Sequence, residues 1–110
     1  MKLTKVVSKL DLEVSDKSIN LDSKITGGYS SDLLSHVMGQ AEPGNLWITI
    51  QTHQNIVAVA SLIELSGIII VDGVDLDDET ITKAREEEIP LLTTELSAYE
   101  VAGRLYKLGV

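Results

Sequence analysis

The chain has 110 residues, the length of one domain, and 44% of them are hydrophobic, which is enough for a folded core. Acidic residues outnumber basic ones by 17 to 9, so the sequence holds no basic stripe for nucleic-acid phosphates or anionic membranes. It has no cysteine, which excludes disulfides, thiol nucleophiles and Cys-based metal sites. No apolar run reaches the roughly 20 residues of a membrane span, and the start lacks a secretion signal, so we expect a cytoplasmic domain.

The first 28 residues predict a short helix followed by short extended segments. Apolar residues at helical spacing predict the helix over 3–10, with Thr4 as its N-cap. Residues 12–14 alternate and predict a short strand. Residues 24–26 predict a strand that leads into Gly27 and Gly28, a pair that permits a positive φ.

A second helix is expected directly after the glycine pair. Ser30 or Ser31 is its predicted N-cap, Asp32 suits the positive end of its dipole, and Gly39 is expected to end it. Its apolar stripe is predicted to consist of Leu33, Leu34, Val37 and Met38.

From residue 46 onward the chain repeats a strand and a helix three times. The predicted strands are 46–50, 68–71 and 91–93; the predicted helices are 55–65, 78–88 and 98–108, the last with Ser97 as its N-cap. Strand–helix units of this length imply parallel strands joined by right-handed crossovers. The sequence therefore predicts a single α/β domain over 1–110, with three layers: a small, mainly parallel sheet with helices on both faces.

The helix predicted over 55–65 is apolar almost all round, so it must be covered on more than one side. One explanation is a homodimer in which this helix meets a second copy of the chain. The other is that Ala58 and Ala60 face a neighbouring helix of the same chain. The predicted dimer-interface residues are Ile56, Val59, Ala60, Leu62 and Ile63.

Several short segments together resemble a known family, the DRTGG domain. These are 24–28, followed by 31–35 with Val37 and Met38, and later 47–55, 71–73 and 89–92. The resemblance covers about residues 20–110. Only Thr26-Gly27-Gly28 matches the motif that names the family, because Lys24 and Ile25 stand at its Asp and Arg places.

The resemblance implies a fold related to the N-terminal domain of the HPr kinase/phosphorylase and a regulatory, non-catalytic role. Such domains occur fused to phosphotransacetylases and to CBS-domain pyrophosphatases, and as small stand-alone proteins. The stand-alone members resemble accessory or regulatory proteins, and some are encoded beside iron-hydrogenase and histidine-kinase genes. The chain has no Gly-x-x-x-x-Gly-Lys-Ser/Thr loop, the phosphate-binding segment of the kinase half of HPr kinase, so kinase activity is not expected.

Polar residues follow the predicted parallel strands, whose carboxyl ends meet at one edge of the sheet, where ligands of α/β domains usually bind. Glycine N–H groups and the start of the helix at Asn55 suit a phosphate, and His53 or Tyr29 could stack on a base. The alternative is that Ser30, Thr52 and Ser97 only cap helices and the glycines only make turns. The candidate ligand-binding residues are Gly27, Gly28, Tyr29, Ser30, Thr52, His53, Gln54, Asn55, Asp72, Gly73, Thr93 and Thr94.

Three functions remain open on these grounds. The first is a dimeric, non-catalytic regulatory domain that senses a nucleotide or small anionic metabolite and contacts a protein partner. The second is a small phosphotransferase with His53 as general base, which requires a deep pocket and a carboxylate beside that histidine. The third is a purely structural dimerisation module. We expect no cofactor and no metal, because the two histidines and the acidic run 72–79 lack the spacing of zinc or calcium sites.

Overall fold

A five-stranded sheet lies between two layers of helices in the computed structural model, which describes residues 1–110. The strand order is β1-β5-β4-β3-β2; β2 to β5 are parallel, and β1 runs antiparallel to β5. The predicted three-layer α/β architecture is therefore confirmed. The elements are α1 (Leu3–Leu10), β1 (Glu13–Val14), β2 (Gly27–Ser30), α2 (Leu34–Gln40), β3 (Asn45–Thr49), α3 (Asn55–Leu62), β4 (Gly67–Ile70), α4 (Asp78–Glu87), β5 (Leu91–Thr93) and α5 (Ala98–Leu108).

The central strands are buried on both faces, which explains why they appear in the sequence as continuous apolar runs. Successive side chains point to opposite faces, so Ile68 and Ile70 join one core while Ile69 joins the other. The first core lies under α2, α3 and α4, and the second lies under α1 and α5. No helix of the chain has the length and apolar character needed to cross a bilayer.

Helix α3 is covered by its own chain, because it lies between α2 and α4. Ile56, Val59 and Ala60 are buried in the core of the same subunit, so their prediction as dimer-interface residues is wrong. Ile63 is partly buried and packs against that core, and only Leu62 points outward, with 67% of its surface exposed. The apolar composition of α3 is thus explained by its position, because two flanking helices and the sheet cover most of its surface.

The end of α3 also differs from the prediction. The helix stops at Leu62 and the chain turns through Glu64, which has a φ of 56°. The N–H of Leu65 donates to the carbonyl of Ala60 (2.9 Å) across this turn. Gly67 then begins β4.

The start of α2 is built differently from the predicted serine cap. Leu33 is the N-cap position and its side chain makes no capping bond; the Ser31 hydroxyl accepts the Leu33 N–H (3.1 Å) before the helix begins. Asp32 does not cap the helix either: its carboxylate accepts bonds from the Thr49 hydroxyl (2.7 Å) and the Ile50 N–H (2.9 Å). The helix continues past Gly39, and Leu33 and Met38 of the predicted stripe are exposed.

Three smaller expectations near the N-terminus are corrected. Residues 24–26 are not a strand; Lys24 makes only an isolated bridge to Lys2. Gly27 and Gly28 belong to β2, and neither has a positive φ. Lys2, not Thr4, is the N-cap position of α1, although the helix has the predicted bounds.

The polar segment between β1 and β2 is fastened to α4 through Asp16. Its carboxylate accepts the hydroxyl (2.6 Å) and the N–H (2.9 Å) of Ser18 and forms an ion pair with Arg85. The Ser18 hydroxyl bond and the Arg85 guanidinium lower the pKa of Asp16 from 3.8 to about 2, because both favour the charged carboxylate.

Candidate ligand groove at the carboxyl edge of the sheet

A groove of about 930 Å³ opens at the carboxyl ends of β4 and β5. Its walls come from the turn between α1 and β1, the loop after β4, the start of α4, the loop after β5, and α5. Three of the predicted ligand residues line it: Gly73, Thr93 and Thr94. Five separate elements therefore meet around one open space at the edge where ligands of parallel sheets usually bind.

The loop after β4 takes its shape from two consecutive left-handed residues, Asp72 (φ 62°) and Gly73 (φ 64°). The Asp72 N–H donates to the carbonyl of Leu96 and the Gly73 N–H to that of Thr94, both at 2.9 Å, so this loop is tied to the loop after β5. A Cβ on Gly73 would overlap the carboxylate of Glu95. Glycine is therefore favoured here mainly by the backbone conformation, because the end of the Glu95 side chain can move aside.

The charge of the groove is mainly negative. Asp11, Glu13, Asp75 and Glu95 bring four carboxylates, and Arg104 of α5 brings the one guanidinium. Arg104 Nη2 lies 4.0 Å from Glu100 Oε2, an exposed pair one helical turn apart that holds the arginine only weakly. Between these groups lie apolar side chains, namely Val74, Leu76, Ile81 and Leu96 among others. The groove therefore combines apolar contact surface with acceptors for hydroxyl and amino groups.

The predicted residues at the start of α3 lie elsewhere and do not line this groove. His53 Nδ1 accepts the N–H of Asn55 (3.1 Å), and the next two N–H groups, of Ile56 and Val57, donate to the carbonyls of His53 and Gln54. The donors that a phosphate would need are thus already bonded within the turn. His53 is exposed and acts as a helix cap, with a backbone N–H as its partner where the phosphotransferase hypothesis required a carboxylate.

A second, smaller cavity of about 160 Å³ takes in another part of the predicted set. Gly28, Tyr29 and Ser30 line it from β2, facing apolar side chains of α5. The predicted residues consequently fall into three places: the groove, the start of α3, and the space between β2 and α5. Asp72 shapes the groove through its backbone but does not line it, and Gly27 lies in neither cavity.

Comparison with known proteins agrees with this fold. The family model of the DRTGG domain matches residues 16–108. The chain belongs to the DRTGG domain family. Its structure is similar to that of the CBS and DRTGG domains of the regulatory region of Clostridium perfringens pyrophosphatase, in complex with the activator diadenosine tetraphosphate. The TM-score is 0.69 at 17% identity, and the match covers 94% of this chain and 44% of that one. No curated protein matches the chain.

At that identity the likeness establishes the fold alone, and this DRTGG domain spans less than half of the pyrophosphatase region. The predicted family and its α/β fold are both confirmed. The family match begins at residue 16, so α1 and β1 lie outside it. Both elements nevertheless belong to the folded unit, because α1 packs into the second core and β1 pairs with β5.

The Thr26-Gly27-Gly28 part of the family motif connects β2 to the turn before β3. The Thr26 hydroxyl donates to the carbonyl of Pro43 (2.8 Å) and accepts the side-chain amide of Asn45 (3.0 Å). A Cβ on Gly27 would lie 3.2 Å from that amide. These residues lie at the amino ends of β2 and β3, the edge opposite the groove.

Sequence reasoning missed several residues of the groove. Asp75 and Glu95 follow β4 and β5, so their position in the chain indicated the correct edge. Asp11 and Glu13 reach it because β1 pairs antiparallel with β5, placing Glu13 opposite Thr93. A strand of two residues carries no register information, so nothing in the sequence indicated that contact. The missed residues are Leu10, Asp11, Glu13, Val14, Ser15, Val74, Asp75, Leu76, Ile81, Glu95, Leu96 and Arg104.

Proposed function

We propose that this DRTGG domain is a non-catalytic regulatory domain that binds a nucleoside or a nucleotide of low charge in the groove. The observation that carries the proposal is the groove itself, in which five elements meet at the carboxyl edge around the Asp72 and Gly73 turn. Support for the ligand class comes from the similar regulatory region of the pyrophosphatase, which is in complex with an adenine dinucleotide activator.

The charge of the groove decides which part of a nucleotide it favours. Carboxylates such as Asp75 and Glu95 accept bonds from ribose hydroxyls or a base amino group, and the apolar side chains offer contact area for the base. A carboxylate and a phosphate charge roughly 8 Å apart in water repel by about 0.5 kcal/mol. With four carboxylates against Arg104, each added phosphate charge weakens binding by about 0.6 kcal/mol after screening, roughly threefold.

Ligand binding acts on the domain by joining elements that come from distant parts of the chain. The turn after α1 reaches the groove through the two-residue strand β1 and the buried side chains of Leu10 and Leu12. A ligand that contacts this turn and both loops stabilises their closed arrangement, and the folded state gains free energy with ligand concentration. A protein partner then binds the surface of the ligand-bound domain in preference to that of the ligand-free domain. The resemblance described above directs the search for that partner to hydrogenase and histidine-kinase systems.

The test is calorimetry with adenosine, AMP, ADP, ATP and diadenosine tetraphosphate, first without Mg²⁺. Affinity is expected to fall from adenosine and AMP to ATP, and Mg²⁺ is expected to remove part of the penalty on ATP. Arg104→Gln should weaken AMP but not adenosine, while Lys107→Gln on the same helix, outside the groove, should leave both unchanged.

Two variants separate the groove from the start of α3. Glu95→Gln should raise the affinity for Mg²⁺-free ATP about fourfold, because it removes one carboxylate that repels every phosphate charge of the ligand. His53→Ala should leave every affinity unchanged, because His53 does not line the groove. Loss of binding in His53→Ala, or ATP binding tightest without Mg²⁺, would contradict the groove as the site. Absence of any heat with the whole panel would favour a purely structural module instead.

We also propose that the domain acts as a homodimer, although not through α3. The exposed part of α3 is limited to Leu62 and small or polar neighbours, which is too little for a stable interface. A different surface carries this part of the proposal.

A further inference from the structure

Strand β2 forms one edge of the sheet and is open along its outer side. It pairs in parallel with β3, and the Ser31 N–H that follows it donates to the carbonyl of Ile48 (3.2 Å). Because backbone groups alternate along a strand, the N–H and C=O groups of Gly28 and Ser30 point away from β3. Edge strands are normally protected by charged residues, proline or bulges, and β2 (Gly27–Ser30) contains none of these.

An apolar cavity of about 160 Å³ lies beside this edge, between β2 and α5. Ala102, Leu105 and Tyr106 of α5 line it, and Gly28 leaves room on the strand side because it has no side chain. An open strand next to an apolar cavity under a helix is the arrangement by which proteins accept an added strand. The main chain supplies the hydrogen bonds, and alternate side chains enter the cavity.

The helices on both sides of β2 carry exposed apolar side chains. Helix α5 packs on β2 and β3, and its Tyr99 and Tyr106 are 89% and 84% exposed. These two residues are seven apart and therefore lie on the same side of the helix. On the other face, α2 connects β2 to β3 and carries exposed Met38, with exposed Leu33 just before it. Four of the chain's seven exposed large apolar residues thus lie on the elements next to β2.

The charge distribution favours a second copy of the chain at this edge. Residues 27–40 and 98–108 contain two acidic and two basic residues, whereas the whole chain carries a net charge of −8. The entire excess of negative charge consequently lies outside these elements. Two copies that meet through them repel one another least, since their acidic surfaces are kept apart and screened.

We propose that two copies of the chain associate by antiparallel pairing of their β2 strands about a two-fold axis. The outward groups of Gly28 and Ser30 bond to the partner strand, which joins the two sheets into one of ten strands. The Tyr106 side chain of each copy seats in the cavity between β2 and α5 of the other. This pairing names the interface of the homodimer in the proposed function, and it rests on that part of the proposed function. It does not require a ligand in the groove.

Sedimentation across the micromolar range tests the dimer, with three variants. Ser30→Lys places a charge on the outer edge of β2 without removing a bond to β3, and Tyr106→Ala empties the cavity. Each should raise the dimer dissociation constant at least about tenfold. Leu62→Lys changes the exposed residue of α3 and should shift it less than about twofold. Amide chemical shifts that stay unchanged outside β2, α2 and α5, and outside α3 in Leu62→Lys, establish that the fold is intact in all three variants.

Hydrogen exchange supplies the second measurement, because the Gly28 and Ser30 amides point into the proposed interface. We expect slow exchange at concentrations where the wild type is dimeric and fast exchange in Ser30→Lys. A monomeric wild type, or dissociation by Leu62→Lys alone, would overturn the inference. Calorimetry on the Ser30→Lys monomer keeps the two proposals apart, since nucleotide binding there would survive the loss of the dimer.

Discussion

Gly73→Ala is the substitution whose effect follows most directly from the structure. Gly73 has a φ of 64°, and a left-handed conformation disfavours alanine by roughly 1–2 kcal/mol. The new Cβ also overlaps the Glu95 carboxylate, which must move aside. Because that carboxylate ends a flexible side chain, its movement is cheap, and the backbone conformation dominates. We expect a loss of about 1–3 kcal/mol in the free energy of unfolding.

Urea denaturation followed by Trp47 fluorescence measures this loss, since Trp47 is fully buried in the native state. Gly103→Ala is the matched control: it lies in α5, and a Cβ there meets nothing within 4 Å, so it should gain about 0.5–1 kcal/mol. Adding Glu95→Ala to Gly73→Ala removes the overlap and should restore only a small part of the loss. A neutral Gly73→Ala, or full recovery in the double variant, would refute the argument from the backbone.

Two further predictions concern the ion pair at Asp16 and the burial of α3. The lowered pKa of Asp16 stabilises the fold above pH 4, and this contribution is lost as the pH falls towards 2. Asp16→Asn should therefore flatten the dependence of the unfolding free energy on pH between these values. An unchanged slope would argue against the contacts of Asp16 with Ser18 and Arg85. Ile56→Ala should destabilise the domain by about 2–5 kcal/mol, because Ile56 is buried in the core. Leu62→Ala should change stability by less than about 0.5 kcal/mol, because Leu62 is exposed. Equal effects of the two variants in urea denaturation would contradict the burial of α3 within its own chain.

The fold could be predicted because its strongest sequence patterns are local. The apolar run 68–71 is short and β-branched, and this favours a strand buried on both faces. Ser97 caps α5 as expected, accepting the Glu100 N–H at 3.2 Å. Such patterns depend only on neighbouring residues, so they predict local structure correctly without knowledge of the tertiary contacts.

The predictions failed where contacts between distant parts of the chain determine the local structure. An apolar helix needs covering, but its sequence does not say whether α2 and α4 or a second subunit provides it. Asp32 suits a helix start, yet it bonds to Thr49 and Ile50 of the neighbouring strand. Gly27 and Gly28 suggested a turn, but both lie in β2, where Gly27 closely approaches the side chain of Asn45. Each case involves a tertiary contact that replaces a local preference.

The candidate site was predictable in part for the same reason. Gly73, Thr93 and Thr94 follow or end parallel strands, so topology alone places them at the carboxyl edge. The acidic wall formed by Asp11 and Glu13 depends on β1 pairing with β5. Because of the resulting negative charge, the proposed ligand is a nucleoside or nucleotide of low charge, whereas the sequence predicted a nucleotide or small anionic metabolite.

Mapping of amide chemical shifts on addition of AMP tests the central claim most directly. If the groove is the ligand site, the amides of Gly73, Thr94 and Glu95 shift in proportion to occupancy, while those of His53 and Gly28 stay in place. Shifts confined to the start of α3, or none at saturating AMP and adenosine, would contradict the account.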